Sequence, residues 1–383
     1  MAKWAYVMKI KILFFHFDLG GGGAERVLVN LVNNLNAEKY DITVQTIFDW
    51  GANRDLIAKH IHRKALFHRK PFRGMKYLMQ SLSPGIWHRL LIKEHYDVEI
   101  AYLEGMPTRI ISGCHDSKTK TFAWVHTCVN DSTSIMSSFR NLKEAQKAYS
   151  RFDQIAFISI MAKDAFMKKY PWDNVKCDVV YNTLDVDAIM KNSSLPINIK
   201  LDVDKTNLCS VGRLTEVKGF DRLITILKEL SDEGFQQWHL YLLGNGECRS
   251  KLEDQTRQLF LSSQITFLGF DTNPYKYVSK MDLFVCSSHR EGYSTAVTES
   301  VIVGTPVITT ACSGMDEILG NEAGMIVENS DKGLKDGLRK ILSDKSLIKL
   351  YKQKTIERSS VFSTANTIGD FERFIGEIDI NKV

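Results

Sequence analysis

Two cations in the carboxy-terminal half of the chain stand at a spacing that suits a phosphorylated ligand. Arg213 and Lys218 lie in segment 211–219, between a predicted strand and a predicted helix. Both charges can therefore converge beyond the edge of the sheet, where a guanidinium can fork two oxygens of a diphosphate and an ammonium acts as a point charge. Taken alone, an ordinary surface loop with an arginine and a lysine is the alternative.

A pair of carboxylates, Glu291 and Glu299, follows the predicted strand Leu283–Cys286. If a helix begins near Ser294, its first N–H groups point over the sheet edge, and Glu299 falls more than one turn inside, on a side that can face a ligand. Glu291 then stays in the preceding loop, free to accept hydrogen bonds from sugar hydroxyls. The alternative is that Glu299 only neutralises a helix N-terminus.

The amino-terminal half offers a glycine-rich turn and a histidine. Residues 20–23 are all glycine and precede a predicted helix, so the backbone can approach a ligand and the helix N-terminus favours negative charge. A bare tight turn is one alternative. A dinucleotide site with Asp49 as the ribose-binding acid is another, although Glu25 stands where the third glycine of that motif belongs. His126 ends a predicted strand and is expected to face the ligand cleft, unless it is purely structural.

Strand-like and helix-like segments alternate along the chain, which is typical of parallel sheets with crossover helices. This predicts an α/β fold of two Rossmann-like β/α/β domains facing each other across a cleft at the strand C-termini. Residues 183–205 are rich in Asn, Ser, Pro and Lys and are interpreted as the interdomain linker. The predicted domains are 1–183, joined by a returning C-terminal helix at 366–383, and 184–365.

In this order, the motifs resemble glycosyltransferase family 4, a retaining family of GT-B fold, in its bacterial surface-polysaccharide type. The resemblance covers nearly the whole chain and includes Gly22-Gly23-Ala24-Glu25-Arg26, the 212–219 segment, Glu291 with Glu299, and Ser313–Ile318. It departs at one point, since many members have glycine where Ser294 stands.

The resemblance implies a role for each matching position. Its donor-binding positions, with no metal ligand among them, are Gly22, Gly23, Gly212, Gly269, Phe270, Tyr293, Ser294, Thr295 and Glu299. Gly269 and Phe270 lie where the base docks, Glu299 meets the ribose, and the backbone of 293–295 supports the phosphates. Its catalytic positions are His126 near the reacting sugar, Arg213 and Lys218 on the diphosphate, and Glu291 on the donor sugar.

The expected reaction is transfer of a sugar, with retention, from a nucleotide diphosphate-sugar to a glycan or lipid-linked acceptor in the synthesis of surface polysaccharide or capsule. A UDP-sugar is the expected donor. No cofactor is expected, because the protein cations take the place of a metal. Three alternatives stay open: a nucleotide-sugar epimerase or other GT-B enzyme without transfer, an NAD-dependent oxidoreductase, and an inactive sugar-binding or scaffold protein.

Charge and cysteine usage bound the surroundings of the protein. Seven scattered cysteines without a Cys-x-x-Cys pair favour a reducing, cytoplasmic location and no structural zinc.

Residues 1–183 carry a net charge of about +9 and the rest about −4, and segment 59–93 holds nine cations and no carboxylate. This segment is either a solvated face or a site for an anionic membrane surface, so the protein is expected to be cytoplasmic or peripheral on the inner face of the cell membrane. Nucleic acid is not expected as a partner, since no base-reading motif accompanies the charge. Met8 is also a plausible start, so residues 1–7 are treated as an optional extension.

Overall fold

The computed structural model describes residues 9–70, 72, 74–129, 135–136, 138–172, 175–320 and 322–376. For Lys76 it describes the backbone only. Its contacts divide the chain into two compact units. One runs to Leu184 and resumes at Thr364, and the other is Asp185–Ser363. The sequence placed these divisions at 183/184 and 365/366.

The first unit is built on a fully parallel sheet of seven strands in the order β3-β2-β1-β4-β5-β6-β7. Its strands are β1 Ile10–His16, β2 Tyr40–Phe48, β3 His62–Phe67, β4 Val98–Ala101, β5 Lys120–Val125, β6 Gln154–Phe157 and β7 Cys177–Val179. Six of the seven residues of β1 are buried, as expected of a central parallel strand covered on both faces. The chain order reverses direction between β1 and β4, which is where ligands of such sheets bind.

The described helices of this unit pack against the sheet through their apolar faces. They are α1 Gly23–Asn34, α2 Met75–Ser81, α3 Pro84–Leu91, α4 Met106–Ile111, α5 Leu142–Tyr149 and α6 Ile160–Lys169. Side-chain oxygens of Ser83, Asn141 and Ser159 cap three of them by accepting a backbone N–H of the first turn. Strand β3 was not predicted, because only its middle and end, Ala65 to Phe67, are apolar.

The last helix returns to the first unit. After Asp185–Ser363 the chain forms a helix over Thr364–Ile375, whose Phe371 ring stacks on Phe14 with centroids 5.8 Å apart. Phe374 lies 5.4 Å from Trp124, edge to face. At its exposed side, Glu372 accepts hydrogen bonds from Lys39 and Tyr40, both at 2.8 Å. The predicted return of the C-terminal helix is confirmed, while the last part of its predicted range, 377–383, lies outside the described residues.

The second unit repeats the design with a parallel six-stranded sheet ordered β10-β9-β8-β11-β12-β13. Its strands are β8 Thr206–Val211, β9 Trp238–Leu243, β10 Ile265–Gly269, β11 Leu283–Cys286, β12 Val307–Thr310 and β13 Gly324–Val327. Its helices are α7 Val186–Ser193, α8 Phe220–Asp232, α9 Arg249–Gln258, α10 Tyr275–Val278, α11 Thr295–Ile302, α12 Met315–Leu319, α13 Asp331–Ser343 and α14 Ser346–Ser359; the returning helix Thr364–Ile375 is α15. The order now reverses between β8 and β11.

Part of the segment interpreted as a linker is helical. Helix α7 occupies 186–193, begins at the capping carboxylate of Asp185, and is fastened to the second unit. The Ser279 hydroxyl donates to the Ser193 carbonyl at 2.9 Å, and the Asn273 amide to that of Asn192 at 3.0 Å. These partners are distant in sequence. Composition alone therefore predicted a linker where the structure has a helix packed on the second unit.

Within the part of the chain that the structure describes, no helix has both the length and the apolar character needed to cross a lipid bilayer. All seven cysteines are free thiols.

Candidate active site

A narrow pocket lies at the point in the second unit where the strand order reverses. Its walls come from the ends of β8 and β11 and from the loop and helix that follow each of them. The lining residues are Ser210, Val211, Lys218, Phe220, Phe284, Cys286, Ser287, Ser288, Glu291, Ser294 and Ala296. Three of the predicted site residues, Lys218, Glu291 and Ser294, thus meet around one space.

Lys218 and Glu291 form an ion pair in this pocket. The Lys218 ammonium donates to Oε1 of Glu291 at 2.7 Å, and the Ser288 hydroxyl donates to the same oxygen at 2.5 Å. The Lys218 side chain is 28% exposed and that of Glu291 10%. Burial lowers the pKa of Lys218, but the adjacent Glu291 charge and hydrogen bond outweigh it, and the net pKa lies above the ordinary value. The lysine is therefore a fixed cation.

Glu291 lies in the loop before α11, as predicted, and its contact with sugar hydroxyls stays a prediction. Its Oε1 accepts from Lys218 and Ser288, because the neighbouring strands β8 and β11 end side by side. Ser288 was not predicted. Its position two residues beyond β11 is the only trace that the sequence carries of its role.

Helix α11 begins beside the pocket. Ser294 is its cap, and its hydroxyl accepts the N–H of Val297 at 3.4 Å. The remaining first-turn N–H groups of Thr295 and Ala296 have no acceptor within the helix, so this end favours an anion. Buried Tyr293 precedes the cap and packs closely against Gly314, where an added Cβ would lie 2.7 Å from the tyrosine ring.

Gly212 and Arg213 extend the site beyond β8. A Cβ on Gly212 would lie 3.6 Å from Cε of Lys218, and its own carbonyl oxygen packs against Gly244. Arg213 is exposed and is not among the residues that line the pocket. The structure therefore brings the lysine to the pocket and leaves the arginine exposed in the loop after β8.

Glu299, Gly269 and Phe270 stand apart from the ion pair. Glu299 accepts a hydrogen bond from the Tyr275 hydroxyl at 3.0 Å. Gly269 ends β10 in a left-handed conformation, with φ of 76°, and its carbonyl accepts the N–H of Gly244 at 2.7 Å. Phe270 follows with 65% of its surface exposed. An exposed aromatic face beside a fixed turn is suited to stacking a planar ring.

In the first unit, His126 lies at the end of β5 and is buried. The backbone N–H of His126 donates to Oε2 of Glu104 at 3.0 Å, and the Thr127 hydroxyl donates to Oε1 at 2.8 Å. His16, at the end of β1, is also buried, and its Nδ1–H donates to the Asp18 carbonyl at 2.6 Å. Burial lowers the pKa of His126 to about 3 and that of His16 to about 4.

Glu104 and His16 were not predicted. The neighbouring order of β1, β4 and β5 brings them to His126, and no spacing in the sequence reveals it. Gly22 and Gly23 lie at the same edge of this sheet, where Gly22 caps α1 without a side-chain hydrogen bond. A Cβ on Gly22 would meet Glu25 at 2.3 Å.

The chain contains two Asp-x-Asp motifs, a pattern that can bind a divalent ion. Asp185 caps α7 through the N–H of Ala188, and Asp187 is in its first turn. Asp202 accepts the N–H of Asp204 at 3.1 Å and pairs with Lys205. Neither pair lines the pocket.

Comparison with known proteins agrees with this arrangement. The family model for Glycosyltransferase Family 4 matches residues 21–188, and that for Glycosyl transferases group 1 matches residues 195–358. A Campylobacter jejuni N-acetylgalactosamine-N,N'-diacetylbacillosaminyl-diphospho-undecaprenol 4-alpha-N-acetylgalactosaminyltransferase is 27% identical over 380 residues, which is 95% of this chain and 99% of that protein. The capsular polysaccharide biosynthesis glycosyltransferase CapM of Staphylococcus aureus is 30% identical over 141 residues, 36% of this chain and 37% of CapM.

Among solved structures, HepE of Anabaena in complex with UDP and glucose has the same fold, with a TM-score of 0.75 at 18% identity over 96% of this chain and 99% of HepE. Two parallel α/β sheets and two adjoining family regions account for almost the whole sequence. The chain is therefore a glycosyltransferase of GT-B fold and belongs to the enzymes that join an amino-terminal Family 4 region to a carboxy-terminal group 1 region.

Proposed function

We propose that this glycosyltransferase moves a sugar, with retention of configuration, from a UDP-sugar to a glycan or lipid-linked acceptor in the synthesis of a bacterial surface polysaccharide. The observation that carries the proposal is the Lys218–Glu291 pair beside the N-terminus of α11. A cation, a helix end and a carboxylate suit the diphosphate and the sugar of one donor. The names of the Campylobacter and Staphylococcus relatives and the UDP bound to HepE support the pathway and the nucleotide.

In this proposal the residues act on the charge of the leaving group. Lys218 and the α11 N-terminus, joined by Arg213 from its exposed position, meet the diphosphate as it gains negative charge, which stabilises the transition state more than the ground state. Glu291 exchanges its bond with Lys218 for the sugar hydroxyls. Glu299 holds the ribose, and Phe270 with Gly269 receives the base.

Retention without an obvious base favours front-face attack, in which the leaving phosphate oxygen takes the acceptor proton. The bond from the sugar to the phosphate oxygen breaks as the bond to the acceptor oxygen forms. We also propose that no divalent ion is required, since protein cations neutralise the leaving group. His126 and the Gly22–Gly23 turn are assigned to the acceptor side of the reacting sugar.

A donor panel tests this function. UDP-, GDP- and ADP-sugars, UDP-N-acetylgalactosamine among them, are scored by protection against thermal unfolding and then by transfer to lipid-linked acceptors, with and without EDTA. One UDP-sugar is expected to protect strongly, because only a bound ligand stabilises by mass action. Protection by none of them would contradict the proposal, and turnover of the donor in the absence of acceptor would favour the epimerase alternative.

The acceptor side of the proposal places the protein at an anionic membrane surface. Helix α3 buries Trp87 and Leu91, yet its opposite side presents Ile86 and Leu90 one turn apart, with Arg89 between them. The neighbouring α2 exposes Tyr77 and Leu78, and further exposed cations are Lys59, Arg69, Lys70 and Lys93. Apolar residues flanked by cations are typical of interfacial helices.

Sedimentation with phospholipid vesicles tests the location. Binding to vesicles with an anionic lipid, and little binding to neutral ones, is expected. The double variant Ile86→Ser/Leu90→Ser should lose most of it, while Val203→Ser, at a still more exposed apolar residue of the second unit, should bind as the wild type does. Equal sedimentation of the wild type with both kinds of vesicle, or with neither, would contradict this location.

A further inference from the structure

Three metal-ligating side chains from three different elements converge inside the first unit, away from the sites described above. His88 lies on α3, Glu99 in β4, and Cys114 just after α4. One ligand atom of each lies within 4.8 Å of the other two, and Nε2 of His88 is 2.7 Å from Oε2 of Glu99. Glu99 and Cys114 are buried, and the His88 side chain keeps 14% of its surface exposed.

An imidazole nitrogen, a carboxylate oxygen and a thiolate sulfur are together a donor set suited to zinc. Zinc–ligand bonds of about 2.0–2.3 Å put the donors of a tetrahedral site roughly 3.3–3.8 Å apart. The cluster spans this range, so adjustments of about 1 Å suffice to close it around an ion. The spacing of the cysteines predicts no structural zinc, but it does not reveal ligands that only the fold brings together. We propose that His88, Glu99 and Cys114 bind one Zn²⁺ ion, with water in the fourth position on the exposed side of His88.

The charges of the cluster favour this occupant. The Glu99 carboxylate is almost fully buried, and among the described residues it forms an ion pair with His88. When the ion binds, His88 gives up its second proton and Cys114 its thiol proton to solvent. One divalent cation then balances one carboxylate and one thiolate, which leaves the buried group neutral.

The geometry also defines what the ion would do. It would join α3 and the end of α4 to the central strand β4, and it would stabilise the first unit without touching the donor. Arg151 already fixes the Cys114 backbone, since its guanidinium donates to the Cys114 carbonyl at 2.7 Å. The expected effect is therefore on stability and is independent of the proposed sugar transfer.

Cobalt and zinc titrations of the metal-stripped full chain test the site. One equivalent of Co²⁺ should produce a near-ultraviolet thiolate-to-cobalt band, which Zn²⁺ then removes, and Zn²⁺ alone should raise the unfolding temperature. Cys114→Ser should lose both effects, and Glu99→Gln should weaken Zn²⁺ binding at least about tenfold, since even outer-shell partners contribute that much. The control Cys177→Ser, which alters a partly buried thiol elsewhere in the first unit, should keep both.

A wild-type chain that gives no band and no stabilisation would overturn the proposal and leave a simple His88–Glu99 ion pair. A band that persists in Cys114→Ser would also overturn it, because another thiol would then be the ligand. Circular dichroism of each stripped variant confirms that it is folded. If Cys114→Ser does not fold, the Glu99→Gln affinity and the Cys177→Ser control decide between the two outcomes.

Discussion

The ammonium of Lys218 lies 2.7 Å from Oε1 of Glu291, although the two residues are 73 positions apart and follow different strands. Each neutralises the charge of the other. A diphosphate that enters the pocket competes with Glu291 for the lysine, so donor binding must exchange one anion for another.

Lys218→Ala is expected to lower sugar transfer about 100-fold or more, which is roughly 3 kcal/mol of transition-state stabilisation. The fold should persist, because Glu291 keeps its bond to Ser288. Initial rates with the true donor and thermal unfolding measure the two effects. Lys228→Ala removes a lysine from a surface pair with Asp232 and is the matched control. Near-wild-type turnover by Lys218→Ala would contradict the site.

Glu291→Gln is expected to separate nucleotide binding from transfer. It removes the anion that competes for Lys218, so the Kd for UDP should stay equal or fall, while transfer should drop about 100-fold because the sugar loses its carboxylate contact. Calorimetry with UDP and rates with the UDP-sugar give the two values. A loss of UDP affinity that matches the loss of rate would show that Glu291 maintains the structure of the nucleotide pocket and does not act on the sugar.

Gly244→Ala is expected to destabilise the second unit by more than about 3 kcal/mol. Gly244 has φ of 138°, and a Cβ there would lie 1.9 Å from the carbonyl oxygen of Gly212. Gly234→Ala is the control, since Gly234 has φ of 102° but no atom within 4 Å of its Cβ position, and about 1 kcal/mol is expected for it. Denaturant unfolding measures the free energy of unfolding of both variants. Equal losses would mean that the backbone at Gly212 moves and relieves the clash.

Stability of the first unit is expected to fall as the pH is lowered from about 6.5 toward 4. Burial lowers the pKa of both His16 and His126, so in this window the unfolded chain binds protons that the folded chain does not. Protonation of the two histidines therefore favours unfolding. Their contribution to stability is fully present above the pKa of about 6.5 that histidine has in the unfolded chain. Unfolding midpoints across the window measure the slope. His126→Gln should flatten it, and an unchanged slope would contradict the assignment to His126.

Much of the fold could be predicted because its strands carry the marks of burial in their own residues. The apolar run of β1 and the serine before α11 need no distant partner to be recognised. Strand β3 was missed, since an edge strand with His62, Arg63 and Lys64 at its start lacks that run. Helix α7 was missed for a similar reason, because contacts from Asn273 and Ser279 hold it in place.

The site divides in the same way. Lys218 and Ser294 were predictable from short motifs that each belong to one loop and one helix. The bond between Lys218 and Glu291, and the cluster of Glu104 with His126, depend on which strands are neighbours in the sheets. A spacing of residues along the chain contains no information about that order until the topology is known.

Helix α15 has a consequence for how the protein is made. Phe371 and Phe374 cover Phe14 and Trp124, yet they follow these residues by more than 240 positions and are translated after the whole second unit. Until α15 has been synthesised, these rings of the first unit stay exposed to solvent. The second unit, Asp185–Ser363, is continuous in sequence and can bury its own core before α15 is made. Synthesis that stops before α15 would therefore release a chain whose later half is folded and whose earlier half is prone to aggregate.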